Sequence, residues 1–104
     1  MITKEIKVND AIFKGIELEL CDNSSLLVIT GKKGYVMCGY LNINTAQKRN
    51  DAACIVTGVK TIEDMLNSKV VALTSAAQQM GVSMGMEVRK VLEIFAWQYI
   101  SFRL

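Results

Sequence analysis

Histidine and proline are both missing from the 104 residues. Without an imidazole, one chain can build neither a Ser-His-Asp nor a Cys-His nucleophile pair, nor the zinc and iron sites that rest on imidazole ligands. Without proline, glycine is left to mark the turns. Charge of one sign is also scarce: twelve basic residues face ten acidic ones, for a net charge of +2. Basic residues run no longer than adjacent pairs such as Lys32-Lys33 and Lys48-Arg49. The aromatics beside them, Tyr35 and Tyr40, are too few for a base-stacking platform, so no nucleic-acid partner is expected. No apolar run reaches the roughly 18 residues a spanning helix needs. The opening "MITKEIKVND" lacks the apolar core and cleavage site of a signal peptide. The expectation is a cytoplasmic chain with no membrane partner. Its three cysteines, Cys21, Cys38 and Cys54, are odd in number and lack CxxC spacing. That usage fits reduced buried thiols better than a disulfide framework or a structural zinc site. Neither a metal nor a cofactor is expected.

What is abundant is apolar side chain, at 51% of the sequence. A chain this short forms one domain, residues 1–104, and a domain of this size hides only about two-thirds of its surface. Some apolar surface is then left over. A subunit interface is its economical outlet, and a homo-oligomer is expected.

Residues 2–8 alternate, with Ile2, Ile6 and Val8 on one face and Thr3, Glu5 and Lys7 on the other, as a half-buried strand does. Asn9-Asp10 is turn chemistry. A second strand sets Ile16, Leu18 and Leu20 against Glu17 and Glu19, and "CDNSS" forms a loop. The apolar run Leu26 to Ile29 ends at "GKKG", a four-residue hairpin connection. The fourth strand is expected from about Tyr35 to Ile43, apolar on both faces and therefore set between two packed layers or at a subunit interface. "NTAQKRND" makes about two helical turns, and "AACIVTGV" is a fifth, buried strand whose direction the spacing leaves open. Thr61 and Asp64 form a capping box with a shortened acid, opening a short helix. A further helix is expected over residues 69–80, with Val70, Leu73, Ala77 and Met80 on one face and Gly81 as its left-handed stop. The last helix begins at about Met86, carries Val88, Val91, Leu92, Phe95, Tyr99 and Phe102 on one stripe, and gains a surface pair from Arg89 to Glu93. The fold class is α+β: a mostly antiparallel N-terminal meander followed by helices packed on one side.

Taken in order, "GYVMCG" (34–39), "GVKTIEDML" (58–66) and the "MG" and "GM" pairs of 80–86 resemble the YunC-like family of bacteria and archaea, domain of unknown function 1805. The resemblance runs from the second strand to about Phe95. It implies an α+β domain whose β-rich N-terminal part is associated with tetramer formation, and it brings no known reaction. Arg89 matches the family pattern, whereas Glu87-Val88 stands where Ser-Gly is usual and Lys90 where an acid is common.

Four residues are candidates for chemistry. Cys38 is flanked by a glycine that would admit a ligand, but it has no partner in sequence to lower its pKa, and free cysteine is among the most buried residue types. It reads as filler. Gly39 beside it reads as a bulge or a close backbone approach. "GVKT" echoes the end of a phosphate loop, offering Lys60 to an anion, yet Ala53 stands where the first loop glycine belongs and Thr61 reads more simply as a helix cap. Met80, Met84 and Met86 could suit copper(I) but read as packing, and Glu17 with Glu19 reads as a solvated face. The tail aromatics Trp97, Tyr99 and Phe102 are expected to dock on the domain or on a neighbouring subunit. The leading expectation is thus a homo-oligomer with no assignable reaction. Its rival is a small-molecule enzyme or anion-binding protein with a site between subunits, drawn from Cys38, Lys60, Thr61 and Arg89.

Overall fold

The computed structural model describes residues 1–22 and 24–103, with side chains through residue 96. Six strands form one sheet in the order β1 to β6. Strands β1 (Ile2–Val8), β2 (Ala11–Cys21), β3 (Ser24–Thr30) and β4 (Tyr35–Met37) make an antiparallel meander. Asn9 closes the first hairpin with φ 57°, a left-handed conformation that asparagine tolerates. At the β3–β4 hairpin Gly31 donates to the Gly34 carbonyl at 3.0 Å. Both ends of this hairpin must be glycine: a Cβ on Gly31 would stand 2.5 Å from the Phe13 ring, and one on Gly34 would stand 2.6 Å from that of Phe95. The remaining elements are α1 (Ile43–Lys48), β5 (Ala53–Ile55), α2 (Ile62–Leu66), β6 (Ala72–Leu73), α3 (Ser75–Gln79) and α4 (Val88–Arg103). The fold is α+β, as the sequence implies.

Strand β4 is shorter than expected. It stops at Met37, and the chain then turns, with the Leu41 N–H donating to the Cys38 carbonyl at 3.2 Å. Asn42 caps α1 by accepting from the Asn44 N–H at 2.8 Å. The apolar pattern foretold burial rather than conformation, since Leu41 and Ile43 do join Met37 in one cluster, but from a turn and a helix. Gly39, expected in a strand, lies in that turn. Strand β5 runs parallel to β4, with Val36 opposite Cys54. The six-residue helix α1 is the crossover that makes this possible.

Both faces of β4 and β5 are covered, by different layers. Val36 and Cys54 belong to the larger core, where α2, α3 and α4 contribute Ile62, Met65, Ala77, Val88, Leu92 and Phe95. Met37, Ala53 and Ile55 point the other way, onto Ala46 of α1. Three helices thus share one side of the sheet, and α1 alone lies on the opposite side.

The expected helix over 69–80 is replaced by β6 and the shorter α3. Thr74 decides this. Its hydroxyl caps α3 by accepting from the Ala77 N–H at 3.2 Å, also accepts from the Ala53 N–H at 3.1 Å, and donates to the Asp51 carbonyl at 2.7 Å. A helix running through residue 74 would forfeit all three bonds. The expected stop is present: the Gly81 N–H reaches the Gln78 carbonyl, the Val82 N–H reaches that of Ala77, and Gly81 has φ 112°. Thr74 is 1% exposed. Thr74→Val, nearly equal in shape, is expected to cost about 2–3 kcal/mol by removing the cap and stranding the Ala53 N–H. Urea unfolding of the two proteins measures it.

Candidate functional site

Parallel strands β4 and β5 end side by side, and the chain leaves them in opposite directions, toward α1 on one side of the sheet and α2 on the other. Between the two departing loops lies a shallow cleft of about 270 Å³ lined by Ser25, Cys38, Gly39, Tyr40, Thr57, Gly58 and Val59. No acidic side chain lines it. Cys38 forms part of its wall but is only 4% exposed, and its Sγ accepts from the Leu27 N–H at 3.3 Å. The thiol is therefore both covered and engaged.

The other three expected residues lie outside this lining. Thr61 caps α2 by accepting from the Asp64 N–H at 3.0 Å, and Asp64 Oδ2 reaches back to accept from the Lys60 N–H at 3.1 Å. This is the expected capping box with its return bond to the residue before the cap rather than to the cap itself. The Lys60 side chain is exposed, one residue beyond the cleft. Arg89 is turned toward α2, its Nη2 3.5 Å from Glu63 and 3.4 Å from the Asn67 amide oxygen. Glu93 is held instead by Lys90, at 3.8 Å. Such exposed pairs contribute at most about 1 kcal/mol each. The structure groups Lys60 with Thr61, sets Cys38 in the neighbouring cleft, and commits Arg89 to a helix surface.

Glu17 also departs from expectation. Rather than facing solvent it accepts from the Ile62 N–H at 2.8 Å, tying β2 to the start of α2. Met80 and Met86 pack on the larger core, while Met84 is exposed. The side chains of Trp97, Tyr99 and Phe102 lie outside the described residues. Among the described residues no helix is long and apolar enough to cross a membrane.

A family model described as Domain of unknown function (DUF1805) matches residues 37–95, more than half the chain and the part that holds the cleft apart from Ser25. The chain belongs to this family. Among DUF1805 relatives, the uncharacterized protein YunC of Bacillus subtilis (strain 168) is 26% identical over 91 residues, which cover 84% of this chain and 89% of YunC. The crystal structure of TA1206 from Thermoplasma acidophilum, titled a protein of unknown function, superposes with a TM-score of 0.83 at 40% identity, covering 88% of this chain and 89% of that one. This DUF1805 domain therefore shares its fold with a solved relative, and none of the matched names carries a reaction.

Ionisation in the domain is perturbed at two buried-side positions. Burial pushes the Cys54 thiol up to about 12. Burial, followed by the hydrogen bond donated to Asp51 at 2.8 Å and the charge of that carboxylate, raises Tyr35 to about 12, with Arg49 opposing. Both groups hold their protons longer when folded than when unfolded. Their contribution is complete below about pH 9 and is lost as pH rises through 12. The urea midpoint is expected to fall between pH 9 and 11, and to fall less in the Cys54→Ala, Tyr35→Phe double variant. At pH 8 iodoacetamide should modify one thiol of the native protein, the exposed Cys21, leaving Cys38 and Cys54 untouched until unfolding. Mass spectrometry reads the outcome, and native modification of Cys38 would contradict its reading as filler.

Proposed function

We propose that this DUF1805 protein acts as a cytoplasmic homo-oligomer, assembled through the outer face of its N-terminal sheet. One observation supports this most: the side of β2 and β3 that faces away from the main core carries an apolar patch around Ile16, Leu18 and Val28 and no helix of its own. On that side the register sets Ile16 opposite Val28 and Leu18 opposite Leu26, which also packs on the main core, and the polar pair Lys14 and Thr30 separates this patch from Ile12. Ile12 is 57% and Leu18 41% exposed. The strip continues without a polar break from Val28 to Met37 and the α1 cluster. A contiguous apolar face of this kind on a small domain marks an interaction surface.

The face is favoured over the free edge of the sheet. Edge strand β1 carries Lys4, Glu5 and Lys7, charges that guard against strand-to-strand pairing. A sheet face packed on its own copy repeats each residue on both sides of a two-fold axis, so an apolar centre is self-complementary by construction. Such a contact closes at the dimer, and the tetramer that the family resemblance implies joins two such dimers through a second contact. Light scattering of the purified protein at millimolar and micromolar concentration tests the reading: a mass four times 11.5 kDa supports it, and 11.5 kDa throughout overturns it.

A further inference from the structure

We propose that the cleft between the β4 and β5 loops is a binding site for a small molecule bearing a carboxylate or phosphate group. This inference stands apart from self-association and survives its failure, because the cleft is built from the loops that follow β4 and β5 together with Ser25, and none of the residues proposed to form the subunit contact lines it.

Three independent features carry it. The first is topology. In open sheets with parallel strands, ligands settle at the carboxyl ends of two neighbouring strands whose connections leave to opposite faces, because no connection then crosses the crevice between them. Here β4 and β5 are the parallel pair, α1 lies on one side and α2 on the other, and the cleft occupies the gap.

The second is the supply of hydrogen-bond donors. The N–H groups of Cys38, Leu41 and Val56 are spent on the carbonyls of Leu27, Cys38 and Met37. Those of Gly39, Tyr40, Thr57, Gly58 and Val59 have no protein acceptor among the described residues. Residues that line a concavity with N–H groups unspent within the protein, and with no carboxylate among the lining side chains, supply the donors that an oxyanion requires. The hydroxyls of Ser25, Tyr40 and Thr57 add orientation, and Lys60 is the next residue after the lining.

The third is steric. The two loops meet at Gly39 and Thr57: a Cβ on Gly39 would meet only the Thr57 methyl, at an ordinary 3.6 Å, and Gly58 holds φ 72° with open space around it. Nothing in the packing of the chain itself requires position 39 to be bare. Its bareness leaves room for another molecule to approach the backbone.

The test is a titration followed on backbone amide resonances, with inorganic phosphate in one arm, malonate in a second, and sodium chloride at matched ionic strength in a third. Saturable shifts centred on Gly39, Tyr40, Thr57 and Gly58 are expected in at least one of the first two arms and not with chloride, and the stronger arm names the group recognised. Gly39→Val, which the neighbouring atoms admit, should weaken that binding at least tenfold while leaving Tm unchanged. A Tm that falls with Gly39→Val moves the test to Thr57→Val, an exposed position that removes only a hydroxyl and should weaken binding severalfold. Shifts that chloride reproduces, that never saturate, or that centre elsewhere on the chain would overturn the proposal, as would undiminished binding in the variants.

Discussion

Under the proposed assembly, replacing Leu18 with lysine is expected to yield monomers without loosening the fold. In an isolated chain Leu18 is 41% exposed, opposite Leu26 and beside the Ile16–Val28 pair. A lysine there can bury its stem along the neighbouring apolar surface and keep its ammonium in water, so the cost to the monomer is within about 0.5 kcal/mol. In a face-to-face assembly the same change occurs on both copies. Each ammonium then loses water and gains no carboxylate, and the two approach one another. At about 2–3 kcal/mol for each unpaired charge, association weakens roughly a thousandfold or more. Two readouts separate this from unfolding. The far-ultraviolet spectrum should be unchanged. The Tm of the parent should rise with protein concentration, as mass action demands of an oligomer, while that of the variant should not. Met84→Lys, at a 61% exposed loop position away from the sheet, is the control and should leave the mass unaltered.

The largest loss of stability should come from the meeting of Gly34 and Phe95. Phe95 is 1% exposed, on the inner face of α4, and its ring lies against the backbone of the β3–β4 hairpin. Phe95→Ala removes a buried ring from the centre of the larger core, at a cost of about 3–5 kcal/mol. Against a total stability of about 5–15 kcal/mol, that lowers Tm by roughly 12 °C or more at fixed protein concentration. Gly34→Ala attacks the same contact from the other side, because its new methyl would stand 2.6–2.7 Å from three ring atoms of Phe95. The ring cannot yield without displacing its neighbours, so this substitution should also destabilise, by about 1–3 kcal/mol. The double variant separates this contact from any general effect of losing a glycine. With the ring gone the methyl has space, and Gly34→Ala should then cost almost nothing or even stabilise. Costs that simply add would show that Gly34 is required for a reason other than Phe95.

How far the sequence disclosed this molecule differed from one segment to the next, and for physical reasons. The meander was legible because alternation with period two and the turn residues Asn9-Asp10 and Gly31 to Gly34 are local signals, and local contacts formed it. The cap of α2 by Thr61 and the stop after α3 at Gly81 were legible for the same reason. Residues 38–43 and 69–74 were misjudged because burial outweighed conformation in their pattern. Leu41 and Ile43 reach the α1 cluster from a turn and a helix, and Val70 and Leu73 reach the main core from just before a short strand and from within it. The decisive groups there were polar and distant in sequence, as with Thr74 binding the backbone of Asp51 and Ala53. The same holds for Glu17, whose partner Ile62 is 45 residues away. Of the cleft, Cys38, Gly39 and the Gly58-Val59 start of "GVKT" stand out in the sequence. Ser25, Tyr40, Thr57 and Gly58 are brought to it by the parallel pairing of β4 and β5, which no local pattern encodes. Arg89 was drawn into the expected site by family resemblance, and its contacts with Glu63 and Asn67 place it on α2.

Sedimentation velocity of the parent protein and of Leu18→Lys, run side by side over a hundredfold range of concentration, addresses self-association through the outer sheet face most directly. The parent should sediment as a multiple of the 11.5 kDa chain, and the variant as the chain alone. A parent that remains at 11.5 kDa at the highest concentration, or a variant that assembles as well as the parent, would contradict it.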